Sequence, residues 1–95
     1  MTKVEIAILE DVLSQNPSSG DEIVGTGGCR KLRLARAGKG KSGGYRVVTF
    51  FTGPDLPVFL ITVFAKSERS NLSQAERNEL AKLTSAIMVE YRRKG

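Results

Sequence analysis

Basic residues are concentrated between positions 30 and 46 of the sequence, a stretch that contains no acidic residue. Positions 1 to 29, by contrast, hold one base and five acids. The net charge of +5 therefore comes mainly from the stretch between positions 30 and 46. Such a block suits an anionic partner, and arginine binds phosphate with two parallel hydrogen bonds. A solvated basic face is the alternative, because charge alone does not distinguish the two. The bases are Arg30, Lys31, Arg33, Arg36, Lys39, Lys41 and Arg46.

These residue types permit cleavage of RNA without a metal ion. Attack by the adjacent 2′-hydroxyl needs a base for its proton, cations for the charge that develops on phosphorus, and an acid for the leaving 5′-oxygen. The chain has no histidine, which is the usual proton shuttle. A lysine packed among other cations has a lowered pKa and can replace histidine as the base, while arginine stays charged.

The composition excludes several other kinds of site. Without histidine and with the single Cys29, the chain has no zinc site of the usual ligand types and no Ser-His-Asp triad. We therefore expect no metal and no cofactor. A lone cysteine and the lack of an apolar leader after Met1 favour a reduced, cytoplasmic location. The most apolar stretch, Leu56 to Ala65, is too short to cross a bilayer as a helix.

Hydrophobic periodicity predicts the elements that position the cations. Residues 4 to 15 have an apolar face at helical spacing, and Asn16-Pro17 ends that helix. A glycine- and serine-rich loop is predicted over residues 17 to 28. From Cys29 to Ala35, leucines alternate with Lys31 and Arg33, a pattern typical of a strand with one apolar and one cationic face. Residues 45 to 52 and 58 to 65 predict two more strands, the first following a flexible connection over residues 38 to 44.

Ser73 and Glu76 have the spacing of a capping box and predict the start of a final helix. Its apolar stripe runs from Leu80 to Tyr91 and leaves Arg77 mostly in water. Short connections between successive elements favour an antiparallel meander. The sequence therefore predicts one α+β domain over residues 1 to 95. Its antiparallel sheet of three to four strands packs against an N-terminal and a C-terminal helix, both on one face.

A hairpin between the first two predicted strands brings Lys31 or Arg33 opposite Arg46, depending on the register. Directly opposed side chains have Cβ atoms about 4.5–5.5 Å apart, and like charges at that distance are destabilising. This arrangement favours an anion bound between them. Tyr45 is either an aromatic residue at the edge of the core, which is the favoured interpretation, or a platform on which a base stacks. The loop after the last strand could bring Lys66 to the same phosphate.

Two stretches of the sequence resemble the HigB branch of RelE-like toxins over roughly residues 10 to 92. They are GTGGCRKLRLARAGKGKSGGYRVVTFF and VFAKSERSNLSQAERNELAKL. The resemblance implies a microbial-RNase-like fold with a shortened N-terminus, because the family usually begins with a further strand and helix. It also implies a ribosome-dependent endoribonuclease that cuts mRNA in the decoding site, inhibits translation and is silenced by a HigA-like helix-turn-helix antitoxin.

From the residues and the resemblance together we expect four catalytic side chains. Lys31 is the candidate general base, Arg33 and Arg46 are ligands of the phosphate, and Lys66 is the candidate acid or charge partner. RNA or ribosome binding is assigned to Arg30, Arg36, Lys39, Lys41 and Tyr45. The expected partners are the antitoxin, mRNA and the ribosome, with no membrane. The alternatives are a nucleic-acid-binding or regulatory module without catalysis and a gyrase-inhibiting relative of the same fold.

Overall fold

The computed structural model describes residues 3–36, 40–53, 56–65 and 71–94, with only the backbone at 35, 36, 40–43, 93 and 94. Its elements are α1 (Lys3–Gln15), β1 (Asp21–Glu22), β2 (Cys29–Arg36), β3 (Gly40–Phe50), β4 (Phe59–Ala65) and α2 (Gln74–Lys94). The strands form one antiparallel sheet in the order β1-β2-β3-β4. This arrangement confirms the predicted α+β class and its sheet flanked by two helices.

Two parts of the sheet differ from the sequence prediction. Strand β3 begins at Gly40 rather than at Tyr45, so most of the glycine-rich connection belongs to the hairpin. Strand β1 lies inside the predicted loop and pairs with the start of β2, with Asp21 opposite Lys31 and Glu22 opposite Arg30. Opposite charges facing each other across two strands are favourable, which gives a physical reason for this short pairing.

The two helices lie on opposite faces of the sheet, so the prediction that both pack on one face is wrong. Leu9 of α1 packs with Leu34 and Val47, whereas Leu80 of α2 belongs to the core cluster that contains Val48. Neighbouring residues of a strand point to opposite faces, so Val47 and Val48 mark the two sides. Because β3 is apolar on both sides, each side needs its own cover. We call these sides the α1 face and the α2 face.

Hydrogen bonds fix both the start and the middle of α2. The capping box is confirmed, since Glu76 N donates to Ser73 Oγ at 3.1 Å and Ser73 N donates to Glu76 Oε1 at 2.9 Å. Two turns further on, Thr84 Oγ1 donates to the carbonyl oxygen of Thr26 at 2.9 Å. Both threonines are buried, so this bond joins α2 to the loop before β2 inside the protein. Helix α2 therefore has a fixed position over the sheet.

Candidate functional site

Lys31, Arg33 and Arg46 lie together on the α2 face, and we call them the cation cluster. Arg33 is directly opposite Arg46 in the β2–β3 pairing, while Lys31 is opposite Val48. The opposed positions place the Cβ atoms of the two arginines about 4.5–5.5 Å apart. Lys31 is two residues from Arg33 on the same strand, about 7 Å along it. Three cationic side chains therefore start from a patch small enough to contact one phosphate.

Burial within the cation cluster is uneven. Arg46 lies on the central strand with its side chain between Arg33 on β2 and Phe64 on β4, and it is only 7% exposed. Arg33 is exposed and Lys31 is half-buried. A guanidinium held among neighbouring strands loses little conformational freedom when it binds an anion, and low local polarity strengthens its attraction for negative charge. Arg46 is therefore the most preorganised anion ligand of the three.

Lys31 has neighbours that the sequence did not reveal. Its Nζ donates a hydrogen bond to Oδ1 of Asn71 at 3.1 Å, and its directly opposed residue on β1 is Asp21. Asn71 is forty positions away in the sequence. No local pattern connects these residues, because their meeting depends on how α2 docks on the sheet and on the unpredicted strand β1. The amine of Lys31 therefore lies where β1, β2 and the start of α2 meet.

Arg30 and Tyr45 point away from the cation cluster, on the α1 face. Arg30 is opposite Glu22 and donates from Nη1 to the carbonyl oxygen of Gly20 at 3.2 Å. Tyr45 is opposite Leu34 and packs against the α1-face core. The predicted roles of Arg30 and Tyr45 in RNA or ribosome binding would therefore be exercised on the opposite side of the sheet from the cation cluster. Strand alternation gives the reason, because each is the immediate neighbour of a cluster residue in sequence.

A family model described as the RelE toxin of the RelE / RelB toxin-antitoxin system matches residues 7–94. The match includes α2, the whole sheet and most of α1. The chain belongs to the RelE toxin family. Membership makes it the toxin of a toxin–antitoxin pair and implies an antitoxin as its partner. Among the residues that the structure describes, no helix of this RelE-family toxin is both long and apolar enough to cross a membrane.

The remaining predicted site residues of this RelE-family toxin lie at or beyond the limits of the described side chains. Arg36 is on β2 and Lys41 on β3, at the end of the hairpin where only the backbone is described. Lys39 and Lys66 lie outside the described residues. The backbone of Arg36 and Lys41 therefore lies on the hairpin side of the Arg33–Arg46 pair.

Cys29 of the RelE-family toxin is unsuited to act as a nucleophile. It is fully buried in the α2-face core. Burial raises the pKa of its thiol, and a hydrogen bond with Thr26 offsets this only in part. The thiol is therefore neutral near pH 7, and only the thiolate is a good nucleophile. Cys29 acts as a small apolar core residue, packed in the same cluster as Val48 and Phe50.

Proposed function

We propose that this RelE-family toxin is an endoribonuclease of the HigB branch, which cuts mRNA on the ribosome and thereby inhibits translation. The observation that supports this most directly is the cation cluster, in which two arginines face each other and a lysine lies beside them. Opposed like charges are unfavourable unless an anion lies between them. The phosphodiester of RNA is an anion whose charge increases during cleavage, so the cluster suits the transition state better than the ground state.

The proposed reaction uses side chains only. The scissile phosphate binds between Arg33 and Arg46, which stabilise the charge that develops on its non-bridging oxygens. Lys31 is the proposed base, which accepts the proton of the 2′-hydroxyl as the 2′-oxygen attacks phosphorus. The bond from phosphorus to the 5′-oxygen breaks, and Lys66 is the proposed donor of the proton that this oxygen takes up. The products are a 2′,3′-cyclic phosphate and a new 5′-hydroxyl end.

The position of the cluster suggests how the RNA approaches. On the α2 face, the apolar residues Cys29 and Phe50 lie towards one end of β2 and β3, and Arg33 and Arg46 lie towards the hairpin end. We infer that RNA reaches the sheet from the hairpin end, where Arg36, Lys39 and Lys41 would bind RNA or ribosomal phosphates. Phosphate contacts of this kind add affinity and salt dependence without sequence preference.

A cationic surface also suits the control of such a toxin. We propose that the antitoxin is HigA-like, with a helix-turn-helix domain, and that an acidic segment of it covers the cation cluster. A cytoplasmic location follows from a ribosomal substrate. Neutralising three clustered cations would block binding of the RNA phosphate directly, so inhibition needs no change in the fold of the toxin.

Arg46→Met tests the proposal, because methionine keeps an apolar stem in the buried position and removes the charge. We expect the induced variant to lose growth inhibition and the new 5′-hydroxyl ends on mRNA. The rate of cleavage should fall by about 10²–10³-fold, the usual cost of removing one group that stabilises transition-state charge. The matched control is Lys82→Met, since Lys82 is 78% exposed on α2 and paired with Glu79.

Two results would contradict the proposed chemistry. An Arg46→Met variant that is folded and still cleaves mRNA at the same sites would remove Arg46 from the site. Wild-type protein that binds RNA with steep salt dependence but produces no new ends would favour a regulatory module without catalysis. If induction instead altered DNA supercoiling and left mRNA intact, the gyrase-inhibiting alternative would replace the ribonuclease.

A further inference from the structure

We propose that Asn71 is a positioning residue, which holds the amine of Lys31 in place for RNA cleavage without forming an ion pair with it. This inference rests on the proposed function of the cation cluster and adds to it a residue outside the strands. The hydrogen bond from Lys31 Nζ to Asn71 Oδ1, at 3.1 Å, is the observation on which the proposal depends.

Lys31 needs such a partner because of its own chemistry. A lysine side chain is a flexible stem of four carbons that ends in a compact amine. It is therefore held in one geometry less readily than the planar guanidinium of arginine. Proton transfer requires a heavy-atom distance of about 2.6–3.2 Å, and a small displacement from that geometry is costly. Half-buried Lys31 has limited packing of its own, and a fixed acceptor for its amine would reduce its motion.

Asn71 is well anchored although its side chain is exposed. Leu72 follows it and is buried in the α2-face core. Ser73 comes next and is bonded in both directions to Glu76 in the capping box. The backbone beside Asn71 is therefore held by packing on one residue and by two hydrogen bonds on the next. An acceptor attached to this backbone is a fixed point for a flexible lysine.

The chemical type of the acceptor matters as much as its position. An amide oxygen is neutral and accepts from the amine without neutralising it, whereas a carboxylate at the same place would form an ion pair. A general base must be free to accept a proton, and asparagine holds the amine without engaging it in an ion pair. Asp21, which is exposed and directly opposite Lys31, is the charged alternative partner on β1. The hydrogen bond that the structure shows for the amine of Lys31 is the one to Oδ1 of Asn71, at 3.1 Å.

The kinetic test compares Asn71→Ala with Asn71→Asp on full-length protein and mRNA-programmed ribosomes under single-turnover conditions. Asn71→Ala should lower the maximal rate by about tenfold, with little change in the half-saturating concentration, because Lys31 loses its position while Arg33 and Arg46 still bind the phosphate. Asn71→Asp keeps the acceptor and adds a negative charge, so it should raise the half-saturating concentration. It should also lower the maximal rate, because an amine held in an ion pair cannot accept the proton of the 2′-hydroxyl. Asn78→Ala is the control, since Asn78 lies on α2 and accepts from Gln74 at 3.0 Å.

A double-mutant cycle separates positioning from a general effect on the fold. In a Lys31→Met background, Asn71→Ala should change the remaining rate by less than about twofold, because the residue that it positions is gone. An equal tenfold loss in both backgrounds would overturn the proposal. If Lys31→Met itself cleaved at the wild-type rate, the proposed role of Lys31 would fail instead.

A measurement that is independent of RNA cleavage completes the test. NMR relaxation of the Lys31 Cε–Nζ group should report restricted motion in the wild-type protein and in Asn71→Asp, and free motion in Asn71→Ala. Equal mobility of Lys31 in the wild-type protein and in Asn71→Ala would overturn the positioning role whether or not the protein cleaves RNA. Restricted motion in a protein without ribonuclease activity would retain the contact and reject only the proposed function.

Discussion

The two faces of the sheet have their polar and apolar ends reversed. On the α2 face, Cys29 and Phe50 form part of a buried core at one end, while the Arg33–Arg46 pair lies towards the other. On the α1 face, Leu34 follows Arg33 in the sequence and is therefore also near the hairpin, but it is apolar and α1 covers it. Each helix therefore covers the apolar end of its own face. The Arg33–Arg46 pair therefore lies at the opposite end of β2 and β3 from Cys29 and Phe50, and Lys31 reaches Asn71 just before α2 begins.

Removing a buried ring from the core on the α2 face should cause the greatest loss in the free energy of unfolding. Phe50 is 1% exposed, and its ring lies tilted against that of Phe59 with 6.3 Å between the ring centroids. Phe50→Ala should lower the free energy of unfolding by about 3–5 kcal/mol, because it leaves a cavity in this core. Urea denaturation followed by circular dichroism measures the loss. The matched control is Leu60→Ala on β4, since Leu60 is 54% exposed, and a similar loss there would contradict the assigned core.

The second prediction compares arginines on the two faces. Arg33→Ala should lower the maximal rate of mRNA cleavage by about 10²-fold or more, because it removes one of two opposed ligands of the phosphate. Arg30→Ala, on the α1 face, should change the maximal rate by less than about twofold, because its side chain lies on the other side of the sheet from the proposed phosphate site. Single-turnover cleavage on programmed ribosomes measures both. Equal losses in the two variants would mean that the faces do not differ in function.

The third prediction concerns the loop that α2 contacts before β2. A Cβ atom at Gly27 would lie 2.5 Å from Thr84 Oγ1, whereas a Cβ at Gly25 would meet nothing within 4 Å. Both residues have positive φ, so alanine at either position pays about 1–2 kcal/mol of backbone strain. Gly27→Ala should cost about 1–3 kcal/mol more than Gly25→Ala, because it also overpacks the contact with α2.

Thermal unfolding of the two glycine variants measures this difference. In a Thr84→Ala background, which lacks the atom that the new Cβ meets, the extra cost of Gly27→Ala over Gly25→Ala should shrink. An equal cost of alanine at Gly25 and Gly27 would show that strain alone accounts for the effect. It would also mean that the loop shifts to avoid α2 without loss of stability.

The smallest expected effect distinguishes core packing from base stacking at Tyr45. A ring that stacks on an RNA base contributes about 1–3 kcal/mol to binding, so losing it would raise the half-saturating concentration at least fivefold. Because Tyr45 packs on the α1 face, Tyr45→Leu should change that concentration by less than about twofold and lower stability slightly. A fivefold increase in a folded variant would bring Tyr45 back into the RNA site.

Much of the fold follows from local pattern. The alternation from Cys29 onwards predicts β2 and its cationic side, and the spacing of Ser73 and Glu76 predicts the start of α2 to the residue. The apolar character of β3 on both sides also indicates a strand covered twice, which the predicted one-sided helix packing overlooked. The same alternation places Arg30 and Lys31 on opposite sides of the strand, which the sequence alone indicates.

Composition and alternation alone establish which side of β2 is cationic and that this chain offers no histidine for proton transfer. Tertiary structure decided that Arg33, not Lys31, faces Arg46, that Arg46 is buried, and that Asn71 meets Lys31. The difference arises from how far apart in the sequence the interacting residues lie. Periodicity is a property of neighbouring residues, whereas register and helix docking are set by the packing of side chains far apart in the chain.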